Sequence, residues 1–318
     1  MIRCWMIFMA VSLYYTDAYK FLVYNPIFGY SHTNFMGVIA DTLTEAGHDV
    51  TVLMPVLDKN EANKTGLKLT KKVIKPPLVP RVQEMMKSKS EMLSKMWTVT
   101  PSVFALVQLT RNMTAAYGYQ CEGLVTDDAL LKRLADEKFD VGIAEAFTFC
   151  GLGLFEVLNI PSSIATFSGV YTDIVSQSIG EPITPSYVPG GMATQDERMN
   201  IVERMKNVIG VIMGQRFFSN TFVEEIKAFR KKFGPEFRDY DDIIADASYV
   251  FTNSNPYLDF PRPIIHKTIA IGGVAVHIDS EKNVLTKEWD SILSERNTTV
   301  LVAFGSVAKS IYMPDEYK

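Results

Sequence analysis

Histidine and cysteine are scarce in this 318-residue chain, with four of the first and three of the second. No spacing among them resembles a metal-ligand set, so the sequence offers no structural or catalytic metal centre. A surplus of positive charge is also missing: 32 Lys and Arg stand against 36 Asp and Glu, for a net charge of −4. No basic stripe with interleaved aromatics occurs, and a nucleic-acid partner is not implied. Beyond the first residues there is no run of eighteen apolar side chains, so the sequence as given carries no membrane span after its start. The dinucleotide fingerprint G-x-G-x-x-G is absent where it would be expected. The first turn reads "NPIFGYSH", and the second strand ends in Met54 and Pro55 rather than in an acid. That argues against a nicotinamide enzyme. What remains is 47% hydrophobic and 21% charged, an ordinary globular balance, and long enough for two domains.

The start is a separate matter. "MIRCWMIFMAVSLYYTDA" has a basic residue, Arg3, an apolar run from Trp5 to Tyr15, and small residues Thr16 and Ala18 before Tyr19. This is the pattern of a secretory signal peptide over residues 1–18. The address gives meaning to three sequons, at Asn63 ("NKT"), Asn112 ("NMT") and Asn297 ("NTT"). Cys4 leaves with the signal. In an oxidising lumen Cys121 and Cys150 can pair, and two separate buried thiols fit the sequence equally well.

The periodicity predicts an α/β fold. "YKFLVYN" reads as a buried strand, and from Thr33 the apolar residues Phe35, Met36, Ile39, Leu43 and Ala46 fall at helical spacing. Gly47 is a C-terminal stop, and "DVTVLMPV" is a β-branched strand. Strand, helix and strand in succession form a βαβ unit and imply a parallel sheet. The segment 82–119 reads as helical, its Met85, Met86, Met92, Met96 and Trp97 serving core packing. "FDVGIAEA" and "SSIATFS" are strands preceded by helices, "QSIGEPITPSYVPGG" is an irregular loop, and residues 196–233 are a long helix. "ASYVFTNSNP" and "KTIAIGGVAVH" add two strands. One doubly wound domain therefore covers residues 19–278. In residues 279–318, "TTVLVAFGSVAKSIYMPDEYK" predicts an apolar strand (Val300–Phe304), a Gly-Ser turn and a helix start at Pro314. These are read as a linker and the first strand of a second, truncated α/β domain, because a strand apolar on both faces needs a covered sheet.

His32 sits in the turn between the first strand and the first helix, where open α/β sheets bind ligands. Around it, "SHTNFMGVIADTLTEAGHDVTVLMP", "EKFDVGIAEAFTFCGLGLFEVLNIP", "PSYVPGGMATQDERMNIVERMKN", "SNPYLDFPRP" and "VLVAFGSVAKSIYMPDEYK" occur in order. With these motifs the chain resembles the UDP-glucuronosyltransferases of animals, from Lys20 to Lys318. They belong to the UDP-glycosyltransferase superfamily, whose GT-B arrangement sets two Rossmann-like domains face to face.

The resemblance implies an amino-terminal domain that binds a small lipophilic acceptor and a carboxyl-terminal domain that grips a UDP-sugar, UDP-glucuronic acid or another. It implies inverting transfer of a glucuronosyl or other hexosyl group to a hydroxyl. The general base would be His32, a side chain that titrates near working pH. The family pairs this histidine with an aspartate; the matching position here is Glu145, one methylene longer. Asp140 should lie at the wrong end of the sheet. His48 is expected to cap the first helix, and His266 and His277 to lie on the surface. "AFGS" places Gly305 and Ser306 at a donor-facing turn, where backbone N–H groups suit phosphate. No metal and no bound cofactor are implied. The family's main donor signature and its membrane anchor do not occur in these residues, so the chain is expected to be inactive alone. The alternative is a non-catalytic remnant that binds acceptor or forms hetero-oligomers; homo-oligomers with family members are equally compatible. The implied location is the lumen of the endoplasmic reticulum, and the implied role detoxification.

Overall fold

The computed structural model describes residues 18–86, 97, 103–170, 172–191, 198–276, 284–305 and 310–317. Residues 1–17 of the proposed signal segment, Met92 and Met96, His277 and Ser306 thus lie outside the described residues.

Seven strands are described: β1 (Lys20–Tyr24), β2 (Asp49–Leu53), β3 (Lys72–Ile74), β4 (Val141–Glu145), β5 (Ser162–Phe167), β6 (Tyr249–Thr252) and β7 (Thr268–Ala270). They form one sheet in the order β3-β2-β1-β4-β5-β6-β7, and every pairing is parallel. From β1 the chain winds outward to β2 and β3, and from β4 it winds the other way. The reversal lies between β1 and β4, where Phe21 pairs Val141 and Tyr24 pairs Ala144. Such a switch point opens a crevice at the carboxyl ends of the two strands.

The central strands β1, β2 and β4 form because their residues are largely apolar on both faces, and both faces are covered. Helix α1 (Tyr30–Glu45) buries Phe35, Met36, Ile39 and Ala40 against β1 and β2. It stops at Gly47, whose φ of 91° is the left-handed conformation that favours glycine. The opposite face is covered by α2 (Val103–Val125), α3 (Asp128–Glu137), α4 (Cys150–Val157) and α6 (Ile201–Phe233). Between α4 and α6 lies the short α5 (Asp173–Ser178), and α7 (Tyr240–Asp246) follows α6. Fit is close in this layer. A Cβ on Gly142 of β4 would stand 2.5 Å from the ring of Phe155. Helix α6 starts in a capping box, with Asn200 accepting from the N–H groups of Val202 and Glu203 while Glu203 accepts from that of Asn200. Cys121 on α2 and Cys150 on α4 form a disulfide with a Cα–Cα distance of 5.8 Å, which decides the open question of their pairing.

Some expectations change. The helical segment expected over 82–119 is described as helix at 80–86 and again as α2. Strand β3, which the periodicity did not predict, is a half-exposed edge strand paired with β2. The strand expected at Val300–Phe304 does not form. Its residues have no ladder partner and Val300 and Leu301 are exposed, because a strand needs a neighbour to bond to and none of the described residues supplies one. Helix α8 (Lys287–Leu293) and short 3-10 turns at Ser310–Tyr312 and Asp315–Tyr317 are the regular structure described there.

Candidate active site

The turn that follows β1 is built to hold its shape. Asn25 Nδ2 donates to the Thr33 carbonyl at 3.0 Å, and the Thr33 hydroxyl donates to the Gly29 carbonyl at 3.0 Å. Ile27 bridges to Val56, extending the parallel pairing past the strands proper. The turn thereby presents His32 in the first turn of α1, over the crevice.

Glu145 is the last residue of β4 and is buried, with a side-chain exposure of 2%, against 23% for His32. The two meet: His32 Nδ1 is 2.8 Å from Glu145 Oε1 and 2.9 Å from Oε2. Glutamate therefore reaches the ring despite its extra methylene. An ionised carboxylate can only accept, so Nδ1 carries the hydrogen, an arrangement that in the neutral imidazole leaves the lone pair on Nε2. The Ser168 hydroxyl, just past β5, also lies 2.8 Å from Nδ1, and the Ser168 N–H donates to Glu145 Oε1 at 2.9 Å. In a hydrolase triad the serine and the acid occupy different ring nitrogens. Here they share one, so Ser168 is not placed as a nucleophile activated by His32.

Aromatic rings wall the histidine. Phe28 lies 4.6 Å and Phe147 5.1 Å from the His32 ring, and Phe28 stacks on Phe147 at 5.2 Å. Phe147 meets Phe218 of α6 at 5.5 Å, and Phe218 lines a cleft of about 490 Å³ with Phe167, Gly169, Thr172, Phe217 and Arg262. Its volume is that of a small-molecule site. Gly169 connects it directly to Ser168. Asp173, at the start of α5, also faces it; burial raises its carboxyl above the ordinary value, and the charge of Arg262 works against that rise.

Asp140 stands at the other end of the sheet, accepting from the Lys20 N–H at 2.7 Å, as the position of its strand required. His48 does not cap α1 with its side chain. Its ring packs on Phe21 at 5.2 Å and on Tyr19 at 5.9 Å, and only its backbone N–H closes the helix, on the Leu43 carbonyl. His266 is exposed. Gly305 adopts φ of 73° in an exposed turn, with no strand before it among the described residues. The asparagines of the three sequons, Asn63, Asn112 and Asn297, are all exposed, Asn112 on α2 and the other two outside helices and strands.

Among the described residues, Cys121, Cys150 and Glu225 are the one group whose ligand atoms gather within 4.8 Å, and the disulfide removes both thiolates from it. Ser168, the aromatic wall and the buried Glu225 were not found from the sequence.

The family model for UDP-glucoronosyl and UDP-glucosyl transferase matches residues 20–317. The chain belongs to this family. Its relatives include "Putative UDP-glucuronosyltransferase ugt-55" of Caenorhabditis elegans, 26% identical over 306 residues that cover 94% of this chain and 57% of the relative. UDP-glucuronosyltransferase 2C1 of Oryctolagus cuniculus is 27% identical over 290 residues, covering 89% of this chain and 57% of the relative. The chain thus spans little more than half the length of these curated relatives. Among solved structures, a UDP-glucosyltransferase from Polygonum tinctorium capable of glucosylating indoxyl aligns with a TM-score of 0.45 at 12% identity, over 88% of this chain and 57% of that one. No helix among the described residues is long and apolar enough to cross a membrane.

Proposed function

We propose that this chain provides the acceptor-binding domain and the general base of an inverting UDP-sugar transferase. The observation that carries the proposal is the contact of His32 Nδ1 with the buried Glu145 carboxylate at the sheet's switch point. With Nδ1–H engaged, Nε2 is the free basic atom. It takes the proton of an acceptor hydroxyl as the oxygen attacks the anomeric carbon of the sugar and UDP departs. Glu145 stabilises the imidazolium that forms. Attack from the face opposite the leaving group inverts the configuration.

The acceptor is a small lipophilic molecule with a hydroxyl. The aromatic wall of Phe28, Phe147 and Phe218 and the cleft beyond it support that class. The donor is UDP-glucuronic acid or another UDP-sugar, held by a second domain to which residues 279–318 lead, with Gly305 and Ser306 at a phosphate-facing turn. Most of the rate gain in such a transfer comes from holding the two substrates together, so residues 19–278 alone bind acceptor without transferring sugar. Residues 1–18 act as a signal peptide, and the protein works in the lumen of the endoplasmic reticulum with glycan on one or more of Asn63, Asn112 and Asn297. The Cys121–Cys150 disulfide supports that oxidising address.

Calorimetry on the chain of residues 19–318 tests this division of labour. A simple phenol should bind saturably and UDP should not. Saturable UDP binding by this chain would contradict the placement of the donor site in a second domain. The location has its own check, since glycosidase treatment of protein from a secretory host should lower its mass.

A further inference from the structure

We infer that Ser168 is a positioning residue for His32, fixing the ring and the carboxylate to one another. The inference rests on the reading of His32 as the base. Glu145 alone does not define the ring. Its two oxygens stand at nearly equal distances from Nδ1, 2.8 and 2.9 Å, and a glutamate side chain has one more rotatable bond than the aspartate used by relatives in the resemblance. Ser168 supplies two further points. Its backbone N–H holds Glu145 Oε1 at 2.9 Å, so the carboxylate cannot swing. Its Oγ lies 2.8 Å from Nδ1; because Nδ1 carries the hydrogen, the hydroxyl accepts from it beside the two carboxylate oxygens.

Ser168 is itself held from the next strand. Asn253, just past β6, donates from Nδ2 to the Ser168 carbonyl at 2.9 Å, and its N–H reaches the carbonyls of Phe167 and Gly169 at 3.0 and 3.2 Å. The ends of three neighbouring strands, β4, β5 and β6, are thereby tied into one support behind the histidine. The longer acid is accommodated because a neighbouring strand end locks it.

The test uses Ser168→Ala, Ser168→Thr and His32→Ala. In the full-length enzyme, Ser168→Ala should lower kcat about tenfold, the scale of one charge-assisted hydrogen bond, with KM within about twofold. Ser168→Thr, which keeps the hydroxyl, should restore most of it. Independently of turnover, ring-labelled histidine followed by NMR in residues 19–318 should show a His32 Nδ1–H resonance in wild type and Ser168→Thr that exchange broadens in Ser168→Ala. Unchanged kcat together with an unchanged resonance would overturn the inference. So would a rise in KM alone, which would mean that the hydroxyl touches substrate. Full turnover by His32→Ala would instead overturn the base reading, and the NMR comparison would still decide whether Ser168 holds the ring.

Discussion

Glu225 offers a sharp test of the packing behind the site, because its carboxyl is buried beside the Cys121–Cys150 disulfide and its charge is out of place there. It lies on the inner face of α6, where its carboxylate accepts the backbone N–H groups of Phe149 and Cys150 at the start of α4. Burial raises its pKa from 4.5 to about 8, against the opposing pull of those two N–H groups. The sign follows from linkage. Between pH 4.5 and about 8 the folded state keeps a proton that the unfolded state has released, so the contribution of Glu225 to stability falls as pH rises through that window. At about 1.4 kcal/mol per pH unit, roughly 3 kcal/mol is lost by pH 7, a large part of a typical folding free energy. The buried Tyr24 and Tyr117, both pushed up by burial first and by Glu225 second, stay protonated and do not titrate in this range. Glu225→Gln keeps an acceptor for the same N–H groups and removes the charge. Urea unfolding at pH 4.5, 6 and 8 should show the variant about equal to wild type at the lowest pH and more stable by about 3 kcal/mol or more at the highest. Two stability curves that run parallel across this range would refute the reasoning, since other titrating groups are common to both proteins.

Three further changes have defined outcomes. In the full-length enzyme, Glu145→Gln should lower turnover by less than loss of His32 does, and Glu145→Asp should keep most of it; equal rates for Gln and wild type would remove the orienting role of the carboxylate. Replacing Cys121 and Cys150 by serine opens a loop with a sequence separation of 29 and should cost about 3–4 kcal/mol in urea unfolding, whereas an unchanged midpoint would show that the bridge contributes nothing. Gly142→Ala places a Cβ 2.5 Å from the Phe155 ring and should destabilise by about 1–3 kcal/mol, measured the same way; a neutral result would mean that the ring has room to move.

The path from β1 through α1 to β2 was legible because its apolar residues alternate between an uninterrupted strand run and a clean helical spacing, with Gly47 closing the helix. The position of His32 at a strand-to-helix turn could be read directly, whereas Glu145 as its partner came through resemblance. Whether a longer acid could reach the ring depended on backbone placement, which no spacing reveals. Strand β3 was missed because three residues, "KVI", flanked by lysines carry little pattern of their own; pairing with Thr51, Val52 and Leu53 makes them a strand. The converse error fell at Val300–Phe304, strongly β-prone by composition and left without a ladder partner among the described residues. Ser168 in "TFSG" reads as an ordinary turn residue, and only the neighbouring strand ends give it a role. Glu225 was within reach: with Phe222, Ile226 and Phe229 it lies on one helical face, so one acid of the pair "EE" had to point inward.

The central claim concerns a single imidazole. The direct measurement is turnover of a UDP-sugar with a simple phenol by the full-length enzyme carrying His32→Ala, with the acceptor's dissociation constant measured alongside. The account predicts a rate reduced about a hundredfold to ten-thousandfold and an acceptor affinity close to wild type. A variant that keeps most of its turnover would contradict it, and His32 would then be a turn residue that happens to touch Glu145.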